Sequence, residues 1–192
     1  MDIFDIFVLF IIFTYAMLYV KEEYTSHEVE YITASDGIKY LVKKNEHNQE
    51  VANKLATINK KFQSVVNHLN ENYPDDDRTK FVTENYEPNN LSESTKDEKY
   101  TSYSLNKNKM IFCLKARNND GTLIDDNTMA YVGFHELAHL ATDEIGHTDK
   151  FWENFKWILT HATNIGAYNY VNYSANPQAY CGLEITSNIL DS

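Results

Sequence analysis

Hydrophobic and polar positions follow three different rhythms along this chain, and each predicts a different kind of element. Val51, Leu55, Ile58, Phe62, Val65 and Leu69 recur at 4-3-4-3-4 spacing, with Ala52 and Val66 widening the stripe. That is the period of an amphipathic helix with one face in a core. Asn48 is its expected cap, and Pro74 with Asp75-Asp76-Asp77 its stop. The second rhythm is extended: Val29-Glu30-Tyr31-Ile32-Thr33 and Ile38-Lys39-Tyr40-Leu41-Val42 flank Ala34-Ser35-Asp36-Gly37. This predicts a hairpin with Gly37 in the turn. A short helix is expected around Arg78 to Tyr86, a polar loop from Glu87 to Lys99, and a strand over Lys109 to Lys115.

Two further helices follow. One, capped by Asp126 or Asn127, places Met129, Val132, Leu137, Leu140 and Ala141 on apolar positions. The other starts at Thr148 or Asp149, carries Phe151, Phe155, Ile158, Leu159 and Ala162 as its stripe, and stops at Gly166. The remainder, Ala167 to Ser192, is rich in Tyr and Asn and predicts irregular chain.

The third rhythm is the absence of one. From Ile3 to Val20 the chain is apolar apart from Asp5 and a few weakly polar residues, 18 residues in all. As a helix that is about 27 Å, near the lower limit for crossing a bilayer. Asp2 and Asp5 stand where a signal peptide needs basic residues, and Tyr15-Ala16-Met17-Leu18-Tyr19 lacks a small-residue cleavage site. The expectation is therefore a membrane anchor over residues 3–20 within a unit 1–22, followed by one domain over 23–192. Tyr15 and Tyr19 suit a membrane interface. Lys21, Lys39, Lys43 and Lys44 follow the span and no Lys or Arg precedes it, which leans towards a cytosolic domain on a host or virion membrane.

Composition narrows the picture. With 192 residues there is room for one core, and 43% hydrophobic content agrees with a mean hydropathy of -0.51 because the apolar residues are concentrated. A net charge of -11 excludes a nucleic-acid binder that works by electrostatics, so no direct nucleic-acid binding is expected. Cys113 and Cys181 are too few for a disulfide scaffold; buried free thiols are the first reading and a single disulfide the second.

The candidate chemistry lies in His135-Glu136-Leu137-Ala138-His139. On a helix, residues i and i+4 face one way, so both imidazoles can reach one Zn²⁺, while Glu136 can reach a water on that ion. Gly146 can turn the chain back and bring His147 round as third ligand; Asp143, Glu144 and His161 are the alternatives. His27, His47 and His68 lack ligand spacing and read as incidental. Tyr168, Tyr170, Tyr173 and Tyr180 are candidates for an oxyanion donor, with packing roles favoured for each.

The block from His135 to Trp152, with H-E-L-A-H, then His147 and Phe151-Trp152, resembles the WLM family of zincin-like metallopeptidases. Thr101-Ser102-Tyr103-Ser104, Ile111 to Lys115, Asp126 to Met129 and Tyr180-Cys181-Gly182 look like the WLM-type proteins of large nucleocytoplasmic DNA viruses. The resemblance implies an α+β zincin-like fold and a Zn²⁺-dependent endopeptidase acting on a protein or peptide substrate. By family, His135, His139 and His147 would be ligands and Glu136 the base. With the apolar terminus, the expected function is a membrane-tethered zinc metallopeptidase. The alternatives are a catalytically silent binding module at a membrane and a DNA–protein crosslink protease.

Overall fold

The stripe of Val51, Leu55, Ile58, Phe62, Val65 and Leu69 does what its spacing predicts: all six are buried on helix α2 (Asn48–Asn72). The computed structural model describes residues 3–26, 28–94, 102–105, 109–116 and 122–192. Around α2 it arranges helix α1 (Ile3–Ser26), the hairpin β1 (Val29–Thr33) and β2 (Lys39–Lys43), helix α3 (Asp77–Asn85), and strands β3 (Leu91–Glu93), β4 (Tyr103–Leu105) and β5 (Lys109–Phe112). Helices α4 (Asp126–Leu140) and α5 (Asp149–Asn164) and a second hairpin, β6 (Gln178–Tyr180) with β7 (Leu183–Ile185), complete an α+β structure.

The main sheet has the order β1-β2-β3-β5-β4. Its outer pairs are antiparallel, and β3 runs parallel to both β2 and β5. Helix α2 lies against β1, β2 and β3; α4 touches α2 and β4; α5 packs on α4 and α2. Phe62 is the meeting point, with ring centroids 6.2 Å from Phe112 of β5 and 5.6 Å from Phe134 of α4. Gly133 lets α4 come this close, because a Cβ there would stand 2.7 Å from the Phe62 ring.

Four local expectations need correction. The span read as a polar loop contains β3, the central strand: Leu91 and Glu93 are buried, and the Glu93 carboxylate accepts the Lys43 backbone N–H at 2.6 Å. A carboxylate serving as a sheet acceptor hides the strand from a polarity reading. The strand expected over Lys109 to Lys115 is shorter, ending at Phe112, and this β5 is interior to the sheet while β4 is terminal. The last segment is not irregular throughout. Tyr180 pairs with Leu183 across a two-residue turn in which Cys181 (φ 47°) and Gly182 (φ 84°) are both left-handed, as a type I′ hairpin requires. Finally, Cys113 and Cys181 form a disulfide that fastens this turn to the end of β5.

Helix α1 contradicts the membrane expectation. Among the described residues no helix is long and apolar enough to cross a membrane. Asp5 sits in its first turn, and past Val20 the helix carries Lys21, Glu22 and Glu23. Between these, Ile6, Phe7, Leu9, Phe10, Phe13 and Leu18 are all more than half exposed.

Candidate metal centre

Helix α4 begins where the Asp125 carboxylate accepts the N–H groups of Asn127 and Thr128 at 3.0 and 2.9 Å, one residue before the expected cap. Fifteen residues of helix then carry His135 and His139 on one face, with ring centroids 5.2 Å apart. The chain leaves the helix at Ala141 and turns at Gly146 (φ 87°), which returns His147 to that face. Buried Asn154 of α5 holds the turn by donating to the Ala141 carbonyl and the Thr142 hydroxyl, at 3.3 and 2.9 Å. The Thr142 hydroxyl in turn donates to the Ala138 carbonyl at 2.7 Å.

One nitrogen from each of His135, His139 and His147 lies within 4.8 Å of the other two. Nε2 of His135 and Nε2 of His147 are 2.9 Å apart. Two ligands on a tetrahedral zinc ion with ~2.05 Å bonds sit about 3.3 Å apart, so this pair is within a few tenths of an ångström of that spacing. The rings are backed by aromatics from the first half of α5. Phe151 stacks on His139 at 4.2 Å, Trp152 stacks on His147 at 5.4 Å, and Phe155 meets His135 edge-on at 5.2 Å. Burial, and then the neighbouring His139 and His147, push His135 down to about 3, so it is a neutral nitrogen donor at ordinary pH.

Glu136 points to the same place. It is 4% exposed, and burial raises its carboxyl to about 7, against hydrogen bonds from the Ser104 side chain and backbone. Its Oε2 is buried without a hydrogen-bond partner. An orphaned carboxylate oxygen beside three imidazoles calls for a donor the chain does not itself supply, such as a water held on an ion. The donor set and the orphaned oxygen both fit a zinc ion.

The other candidate ligands lie elsewhere. Asp143 pairs with Lys150 at 2.6 Å, and exposed Glu144 lines the cavity wall without joining the cluster. His161 is on the far half of α5, facing His68. Of the tyrosines, Tyr180 lines the cavity and donates to the Cys113 carbonyl at 3.0 Å, Tyr170 donates to Asp191 at 2.6 Å, and Tyr168 and Tyr173 are buried.

The triad opens onto a cavity of about 870 Å³ lined also by Tyr103 and Ser104 of β4 and by Leu183 and Ile185 of β7. Tyr131, four residues before His135 on the same helical face, also lines it. That spacing was visible in the sequence. The wall supplied by β7 was not, because it depends on the disulfide and on a turn 34 residues away from His147.

Comparison with known proteins gives a consistent direction. Residues 24–183 match the model of the Phycodnaviridae minor capsid protein P4 family. Uncharacterized protein R325 of Acanthamoeba polyphaga mimivirus is 32% identical over 183 residues, covering 91% of each chain. Uncharacterized protein 136R of Invertebrate iridescent virus 6 is 37% identical over 82 residues, 42% of this chain and 46% of that one. No solved structure matches the chain. The family match runs through the H-E-x-x-H block itself and is to a capsid protein, not to WLM peptidases. It overturns the WLM resemblance, the zincin-like peptidase fold and the zinc endopeptidase that went with it. The single-pass, cytosol-facing localisation falls with it, since among the described residues no helix is long and apolar enough to cross a membrane.

Proposed function

Because the chain belongs to the Phycodnaviridae minor capsid protein P4 family, we propose that it is a structural component of a virion and that it carries a metal-stabilised site. The observation that carries the structural role is the extent of the match: residues 24–183 include every strand of the main sheet, α2 to α5, the triad and Glu136. The protein partner in this reading is a neighbouring chain of the capsid. The cavity is its meeting place, because Ile145, Leu183 and Trp152 at or beside the rim are 91%, 61% and 40% exposed. Apolar side chains around a concave opening mark a protein contact more often than a solvent surface.

His135, His139 and His147 would hold one Zn²⁺, the ion that three imidazole nitrogens suit well. Bound there, the ion supplies a cross-link between α4 and the turn that leads into α5. The chain's own groups do the rest. Asn154 and Thr142 fix the turn, Phe151 and Trp152 set the ring planes, and Glu136 joins α4 to β4 through Ser104.

Purified particles of the virus that encodes the chain test the structural role. Quantitative mass spectrometry should find it at a fixed ratio to the other capsid proteins. Its presence in infected cells but absence from particles would refute the proposal. Metal analysis of the purified protein should find about one zinc per chain, and the His147→Ala variant should lose it.

A further inference from the structure

A second group of histidines sits at the other end of α5. Asn72 Nδ2 donates to the His68 carbonyl at 2.8 Å, which fixes the amide, and the same nitrogen lies 3.2 Å from His68 Nδ1. His68 Nδ1 is therefore an acceptor and its Nε2 carries the proton. That Nε2 lies 3.2 Å from His161 Nδ1 on α5, which must accept in turn. The bonds thus run one way, Asn72 to His68 to His161, joining the C-terminal end of α2 to α5. Each imidazole uses its unprotonated nitrogen as an acceptor within this chain.

The surroundings make a proton unwelcome. His161 is 7% exposed and is covered by Tyr73 at 4.7 Å and Trp157 at 4.9 Å between ring centroids. Arg78 of α3 lies 3.9 Å above the Trp157 ring, anchored by Asp76 at 2.6 Å. The charged and titratable groups around the pair are Tyr73 and Asp76 on the turn and Arg78 on α3; Asn72 on α2 and Trp157 on α5 are its neutral neighbours. Asp76 is the one compensating negative charge among them, and Arg78 already occupies it through both carboxylate oxygens.

We propose that the Asn72–His68–His161 chain is an acid-opened latch between α2 and α5. A proton taken up at His161 Nδ1 turns that acceptor into a donor facing the His68 donor, so this bond of the chain is lost and a positive charge is left beside Arg78. The C-terminal end of α5 then loses this tie to α2, while α5 keeps its packing on α4. Burial first, then His68 and Arg78, hold His161 below the ordinary histidine range, with Asp76 opposing, so the latch stays shut at neutral pH. This proposal is independent of any ion at the triad.

Trp157 is the natural reporter, since it touches His161 directly. In a full-length Trp152→Phe background it is the remaining tryptophan, because the chain has two. Its emission should change in one step as the pH falls below about 6.5, and replacing both His68→Asn and His161→Asn should abolish that step. A step that survives in the double variant, or no step in the starting protein, would overturn the latch. If the double variant fails to fold, the His161 imidazole titration followed by NMR in the wild-type chain decides the matter. A midpoint below about 6.5 supports the latch, and one at or above it refutes it.

Discussion

The two histidine clusters sit at opposite ends of one helix and have opposite arrangements. At the N-terminal end of α5, three imidazoles converge with their nitrogens facing one another and an open cavity, and a buried carboxylate oxygen beside them lacks a partner. At the other end, two imidazoles complete a directed hydrogen-bond chain roofed by Tyr73 and Trp157. The first turns its ring nitrogens towards one another beside an open cavity, where an ion would fit; the second links them in a chain that ends under aromatic rings. What separates a candidate metal site from a packed histidine pair is thus how the ring nitrogens are aimed, not the number of histidines.

The strongest way to break this contrast is to remove the aromatic floor of the triad. Phe151 is fully buried and stacks on His139, so Phe151→Ala should cost about 3–5 kcal/mol in chemical denaturation and weaken zinc binding, leaving the titration of His161 in place. If the His161 midpoint moved as much as zinc affinity fell, the two ends would be one coupled unit. Next comes the ion itself. Zinc at a hundredfold excess over its dissociation constant should add about 2.7 kcal/mol to wild-type stability, and His147→Ala should lose that gain in a thermal melt. A smaller effect is expected from His161→Ala, about 1–3 kcal/mol for a lost buried hydrogen bond, with the zinc-dependent gain retained. Loss of the zinc gain in that variant would mean the clusters are not separable.

The pH dependence sharpens the comparison from the same end. His161 has its folded value lowered, so the unfolded chain takes up the proton first, and stability contributed by the pair is lost as pH falls through about 6.5 towards the folded value. Denaturation midpoints at pH 7.5 and 5.5 should differ less in His161→Asn than in the wild type. The smallest change is expected from Arg78→Met. Losing the contact with Trp157 should cost about 0.5–1 kcal/mol, and the His161 midpoint should rise, because a positive neighbour has gone.

What the sequence made legible follows the distance between partners along the chain. The α2 stripe and the i, i+4 pair with a turned third histidine are local, and the structure places those side chains together. His68 and His161 are 93 residues apart, so no spacing rule links them; His68 read as incidental and His161 as an alternative third ligand. β3 escaped because its inward carboxylate, Glu93, is paired with Lys43 from a strand 50 residues earlier. The WLM resemblance failed for a different reason. A short H-E-x-x-H block fixes where a few donor atoms sit, and that local geometry does not determine what the rest of the chain is for.

The Cys113–Cys181 bond has a topological consequence. It joins two residues 68 apart in sequence, closing a ring that contains α4, α5, the whole triad and His161, while α2 and His68 remain outside it. On a chain-entropy estimate, closing a ring of this length disfavours the unfolded state by about 4 kcal/mol. The ring also changes what a single cut means. A protease that severs one peptide bond between Cys113 and Cys181 produces a nicked molecule that still migrates as one species until it is reduced. The triad's helices would remain tethered to each other from both sides, so a subunit clipped there would keep its parts together.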